Sequence, residues 1–245
     1  MFQQHLPTYI HNFENDPRWQ TKSTAHYIFH YFKDSEAEKD IKYITTTQEN
    51  AYQKILLFLE ISEPQKPIEY FLYPNESIKK DLMGDDWYAQ SIYNEFRIHV
   101  LYTQKDKPIG PHEDTHILSL PWGLSISFFQ EGLAEYMAGH AWDGTPHIKY
   151  VKEGYAKNLY PPIKKFMDHN MWLKTSNNMP IYFYSLAGAF VFYLINTHGK
   201  DLFKSLYQNT NREHTTEQNS KTFIDLYDVS IENAELEFKE WIKKM

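Results

Sequence analysis

The chain of 245 residues contains no cysteine. Disulfide bonds and thiolate metal sites are therefore excluded, which leaves histidine and carboxylate side chains as the strong metal ligands it can offer. Basic residues are also few, since 25 Lys and Arg stand against 32 Asp and Glu, for a net charge of −7. Because no basic stripe is present that could neutralise phosphates, we do not expect the chain to bind nucleic acid.

Long apolar runs are missing as well. No stretch approaches the roughly 18 apolar residues of a membrane-spanning helix, so we expect no membrane span. Residues 1–19 lack a basic segment followed by an apolar one, so no signal peptide is expected and the cytoplasm is the default location. A secreted chain that had lost its leader would have the same sequence.

What the chain does contain is a dense group of metal-ligating side chains. His112, Glu113 and His116 follow the order H-E-x-x-H. On a helix, positions i and i+4 lie on one face, so the two imidazoles can bind one ion while Glu113 reaches a water on it. This pattern is typical of a hydrolytic zinc site. Pro111 and Pro121 delimit a predicted helix of about ten residues around it.

The third ligand distinguishes the classes of zinc site. An H-E-x-x-H-x-x-G-x-x-H site needs glycine at position 119 and histidine at position 122, where this chain has Ser119 and Trp122. The alternative is a carboxylate from a second helix, which helical spacing of apolar residues predicts over 125–138. There Glu131 is the expected ligand, and Glu135, one turn later, is expected to hydrogen-bond a ligand histidine. An ordinary solvated acidic face is the other interpretation of these two glutamates.

The order of predicted elements, strands first and helices afterwards, indicates an α+β chain. We expect one domain over residues 1–245, with a sheet-containing part over 1–110 and the metal-site helices and a helical remainder over 111–245. The predicted strands are 24–32, 67–73 and 97–103; the further helices are 35–59, 185–197, 200–208 and 231–244; and the loops are 139–162 and 209–220. His140, in the first loop, is a rival for the third ligand.

These motifs resemble those of gluzincin metallopeptidases, specifically the compact peptidase MA-like group. The resemblance consists of the H-E-x-x-H motif, F-x-Q-E-G-L-A-E-Y at 128–136 and Y-S-L-A-G-A-F-V-F-Y-L-I-N-T-H-G at 184–199. It covers residues 110–245 well and the N-terminal third loosely. The chain differs at Ala189, where the family often has serine, and at Asp114, an acid inside the motif.

The resemblance implies a zincin-like fold and one zinc ion held by His112, His116 and Glu131. Glu113 would be the general base for attack of zinc-bound water on a peptide bond. Gluzincins commonly stabilise the oxyanion with a tyrosine or histidine from a later element, and Tyr184 is the predicted residue here, with Tyr182 second. In gluzincins a sheet edge above the zinc helix can bind substrate as an added strand. Residues 97–103 form either that edge or an interior strand.

The predicted function is therefore a zinc metallopeptidase acting on peptides or proteins. One alternative is a catalytically inactive relative that keeps the fold and binds metal or peptide. Another is a metal-free interaction protein in which the motif is accidental. Glu113 favours the enzyme, because a structural zinc site has no use for a base and usually fills all four positions with protein ligands.

Overall fold

The computed structural model of the chain describes residues 8–10 and 12–245. The signal-peptide prediction concerns residues 1–19 and so lies in part outside the described residues. The chain divides into two compact units, Met1–Ser119 and Leu120–Met245. Strands occur in the first unit and helices in both, which confirms the α+β class.

Within the described residues, the strands of the first unit form one five-stranded sheet. They are β1 (Trp19–Ser23), β2 (Tyr27–Phe32), β3 (Ile68–Tyr73), β4 (Ala89–Ile92) and β5 (Arg97–Leu101), in the spatial order β1-β2-β3-β5-β4. The parallel strands β2, β3 and β5 lie in the middle, whereas β1 and β4 pair antiparallel at the two edges. Residues 97–103 are therefore interior. The edge-strand interpretation of that segment is wrong, because β4 covers it.

The helices of the first unit are α1 (Glu36–Leu59), α2 (Glu76–Met83) and α3 (Pro111–Leu118). The side chain of Ser35 accepts a hydrogen bond from the backbone N–H of Glu38, which caps α1 and confirms the predicted helix over 35–59. Pro111 is tolerated in the first turn of α3, since its missing N–H needs no partner there. α3 packs against α1 and β4, so the H-E-x-x-H segment lies beside the edge strand.

The second unit is helical throughout the elements it contains. Its helices are α4 (Ser127–Ala138), α5 (His147–Ala156), α6 (His169–Ser176), α7 (Pro180–His198), α8 (Lys200–Asn209), α9 (Thr216–Tyr227) and α10 (Ile231–Lys244), with 3-10 turns at Leu120–Trp122 and Ile163–Met167. The predicted helices at α4, α7, α8 and α10 are confirmed. The loops predicted over 139–162 and 209–220 are wrong, because the first contains α5 and the second contains the start of α9.

Among the described residues, α7 is the one helix that is long and apolar enough to cross a membrane. More than half of it is buried, and it packs against α4 and α5. A helix in a protein core meets the same criteria of length and composition. The burial of α7 favours that role, and the absence of a membrane span stays a prediction.

The packing of α4 on α7 depends on Gly132. A Cβ added there would lie 2.5 Å from Cγ2 of Val191 and 2.8 Å from the backbone oxygen of Ala187. Because both separations are far below van der Waals contact, we expect Gly132→Ala to lower the free energy of unfolding by about 1–3 kcal/mol in urea denaturation. Val191→Ala should recover part of that loss when combined with it. Strictly additive losses would show that the two side chains do not clash.

Candidate metal centre

The structure brings together a group of side chains that can hold a metal ion. His112 and His116 lie one turn apart on α3, and Glu131 lies on α4. Each offers one ligand atom, and these three atoms all lie within 4.8 Å of one another. The two imidazole rings are 5.0 Å apart between centroids and nearly perpendicular. His116 is buried, whereas the other two residues are half-buried.

The donor set fits a catalytic metal. Two imidazoles and one carboxylate are three protein ligands, and a tetrahedral ion bound by three protein ligands keeps one position for water or substrate. Imidazole and carboxylate also suit several other divalent transition metals, so the donors define a divalent metal site more firmly than they define zinc.

Glu113, the predicted base, lies in the first turn of α3 and is half-buried. The hydroxyl of Ser91, in β4, donates a hydrogen bond to Oε2 of Glu113, with an oxygen–oxygen distance of 2.5 Å. The same hydroxyl lies 3.0 Å from the backbone oxygen of Glu113. The sequence singles out Glu113 but not Ser91, because the contact depends on where the edge strand lies.

Asp114, the acid inside the motif, is completely buried. Its Oδ2 accepts hydrogen bonds from the hydroxyl of Tyr27 at 2.6 Å and from Nε2 of Gln48 at 2.9 Å. Burial raises the pKa of Asp114 well above its ordinary value; the hydrogen bond from Tyr27 opposes this shift, and the charge of Glu113 adds to it. Oε1 of Gln48 also accepts from the backbone N–H of Gly110 at 2.6 Å. These bonds tie the start of α3 to α1 and β2.

Glu135 is almost fully buried on α4. Its Oε2 lies 3.3 Å from Nε2 of His147, whose Nδ1 in turn lies 3.2 Å from Oγ of Ser185. His147 is thus one partner of Glu135, and it is a residue to which the sequence gives no role, since it falls in a predicted loop. The predicted bond from Glu135 to a ligand histidine stays a prediction.

The two candidate oxyanion residues lie at the start of α7. The Tyr184 ring is half-buried, with its centroid 5.7 Å from that of Trp172 and 6.3 Å from that of Trp142. The Tyr182 hydroxyl donates to Oε1 of Glu153 at 3.0 Å. The bond to Glu153 gives Tyr182 a structural role on the surface of the second unit. The catalytic roles of Tyr184 and Tyr182 stay predictions.

Comparison with models of known protein families and with curated proteins found no match to this chain. The resemblance to gluzincins therefore rests on the motifs themselves. Since one fold can host many chemistries, function has to be inferred from the side chains of the site, their geometry and their environment.

We expect Glu131→Ala to weaken zinc binding, because it removes one of three donors. The loss should exceed the roughly 10- to 100-fold typical of a lost outer partner of a ligand. His140→Ala is the matched control: His140 is exposed, its Nδ1 lies 2.9 Å from the backbone oxygen of Ala141, and the metal-ligating group within the described residues does not include it. Zinc content after dialysis is measured by elemental analysis. If Glu131→Ala kept as much zinc after dialysis as His140→Ala, Glu131 would not be a ligand.

Proposed function

We propose that this chain is a zinc metallopeptidase of the gluzincin type, with a zincin-like fold, that hydrolyses peptide bonds. The observation that carries the proposal is the grouping of His112, His116 and Glu131, whose ligand atoms lie within 4.8 Å of one another. Glu113 adds a carboxylate next to His112 in the same helix. A hydrolytic site needs such a base, whereas a structural metal site does not.

In this proposal His112, His116 and Glu131 hold the ion. When bound, zinc would supply a Lewis acid that polarises the substrate carbonyl and lowers the pKa of a water toward roughly 7. The Glu113 carboxylate takes a proton from the attacking water and then delivers it to the nitrogen of the leaving amine. Glu113 thus returns to its starting state at the end of the cycle, and no second acid is needed.

The proposed donor to the developing oxyanion is the hydroxyl of Tyr184. A donor aimed at such an oxyanion typically contributes about 3–4 kcal/mol to stabilisation of the transition state. The half-buried ring contacts two tryptophans, Trp142 and Trp172, which limits its rotation. These two ring contacts are the support for choosing Tyr184 over Tyr182.

The proposed substrate is an extended peptide or an unfolded segment of a protein. β4 packs beside α3, and it lies at the end of the sheet within residues 8–10 and 12–245. A sheet edge can bind an extended peptide as an added strand, through backbone hydrogen bonds that do not depend on the peptide's sequence. In this proposal β4 binds the substrate, and residues 97–103 do not.

Glu113→Gln should lower kcat for a fluorogenic quenched peptide by about 100- to 10,000-fold, because the amide cannot accept the proton from water. Its zinc content should equal that of the wild type. Glu76→Gln is the matched control, since Glu76 is an exposed glutamate in the first turn of another eight-residue helix, α2. Turnover by the wild type should disappear with a chelator and return with zinc.

Two results would contradict the proposal in different ways. Undiminished turnover in Glu113→Gln would remove Glu113 as the base. A wild-type protein that binds zinc at this site but cleaves no peptide from a diverse library would favour the alternative of an inactive metal- or peptide-binding protein.

A further inference from the structure

The direction of the Ser91 side chain is fixed by its two neighbours in β4. Ile92 is buried in an apolar cluster with Phe71 and Leu101, and Gln90 is buried with its Oε1 3.3 Å from Nζ of Lys79. Successive side chains of a strand point to opposite faces of the sheet. Ser91 is therefore directed to the other face, where α3 lies.

The register of β4 is strongly specified. Ser91 pairs with Ile98 of β5. A slip by one residue would place Ser91 in the apolar cluster and remove Ile92 from it, which would cost apolar burial. The segment before β4 is also anchored, because the ammonium group of Lys79, a fully buried side chain, lies 2.5 Å from Oδ1 of Asp85. The register therefore fixes the position of the Ser91 hydroxyl along α3.

At that position the Ser91 hydroxyl contacts Glu113. The distance of 2.5 Å to Oε2 is typical of a hydroxyl that donates to a charged carboxylate, whereas the distance of 3.0 Å to the backbone oxygen is longer than usual for a hydroxyl donor. The hydroxyl has one proton, so the shorter contact identifies the carboxylate as its acceptor. Both side chains are half-buried, which limits competition from water.

A glutamate has three rotatable side-chain bonds, so an unrestrained carboxylate adopts many orientations. A general base must lie within hydrogen-bonding reach of the proton it accepts, and small misplacements lower the rate steeply. We propose that Ser91 is a positioning residue for the reaction: its hydroxyl holds Oε2 of Glu113 and thereby presents Oε1 to the attacking water. This inference rests on the proposed function, because it takes Glu113 as the base.

The test compares Ser91→Ala with Ser91→Thr in the full-length, zinc-loaded chain. Ser91→Ala should lower kcat by roughly 10-fold or more and leave KM within about 2-fold, because the lost bond orders the base and does not bind substrate. Ser91→Thr keeps the hydroxyl and suits a strand, so kcat should return to within about 3-fold of the wild type. Ser77→Ala, the same change at an exposed serine of α2, is the control. Zinc content should be equal in all of these proteins.

A readout independent of activity is the order of the Glu113 carboxylate in crystal structures of the zinc-loaded proteins. We expect one orientation in the wild type and in Ser91→Thr, and several in Ser91→Ala. Should Ser91→Ala fail to fold, Ser91→Cys replaces it, because a thiol has a similar shape but is a weak donor. In a Glu113→Gln background, Ser91→Ala should have no further effect on residual turnover.

The outcomes separate this inference from the proposed function. If the wild type is a Glu113-dependent peptidase and Ser91→Ala keeps kcat within about 2-fold, the positioning role is overturned and the peptidase function stands. A Ser91→Thr variant as impaired as Ser91→Ala would also overturn it. If the wild type cleaves no peptide, the proposed function fails, and an ordered Glu113 carboxylate in Ser91→Ala would separately rule out the positioning role.

Discussion

The hydrogen bonds around one buried carboxyl group, that of Asp114, set the position of α3, and the candidate site depends on α3 for both imidazoles and for Glu113. Burying a carboxyl group is costly unless it is hydrogen-bonded, and here Tyr27 and Gln48 supply the donors. An apolar side chain at this position would tolerate small rotations of the helix about its axis. A hydrogen-bonded acid tolerates few, because each rotation would break a bond that water cannot replace. The acid inside the motif is thus an anchor for the site.

The side chains of the H-E-x-x-H motif have three different surroundings around one short helix. Consecutive residues of a helix point about 100° apart, so neighbouring side chains meet different surroundings. Glu113 meets the hydroxyl of Ser91 on the edge strand, whereas Asp114 meets the buried side chains of β2 and α1. The two histidines share the remaining direction. Because burial favours the neutral form of Asp114, the two adjacent acids need not both carry charge.

Much of this arrangement could be predicted from local signals. Three signals are local: the cap at Ser35, the apolar spacing of α4 and the i, i+4 histidines. The structure has a helix at each of them, and Ser35 caps the first. α9 also carries a local signal, a capping box between Thr215 and Gln218, which the polar composition of residues 209–220 outweighed. α5 is harder to predict, because Gly154 weakens its helical pattern. A side chain at position 154 would clash with the ring of Tyr160, which occupies that space. β4 and its contact with Glu113 could not be predicted: four residues, of which two are polar, give no clear alternation, and the sheet order is a long-range property.

The short length of β4 bears on self-association of the protein. An unpaired strand edge is a template for self-association, and long, flat, apolar edges are the most hazardous. Four residues extend only about 13 Å, so a second copy of the chain finds few backbone groups with which to form hydrogen bonds. Under the proposed function, the same length is enough for the few residues of a flexible peptide that flank a scissile bond. If β4 binds the substrate as proposed, its short edge accepts a peptide while limiting self-association by added strands.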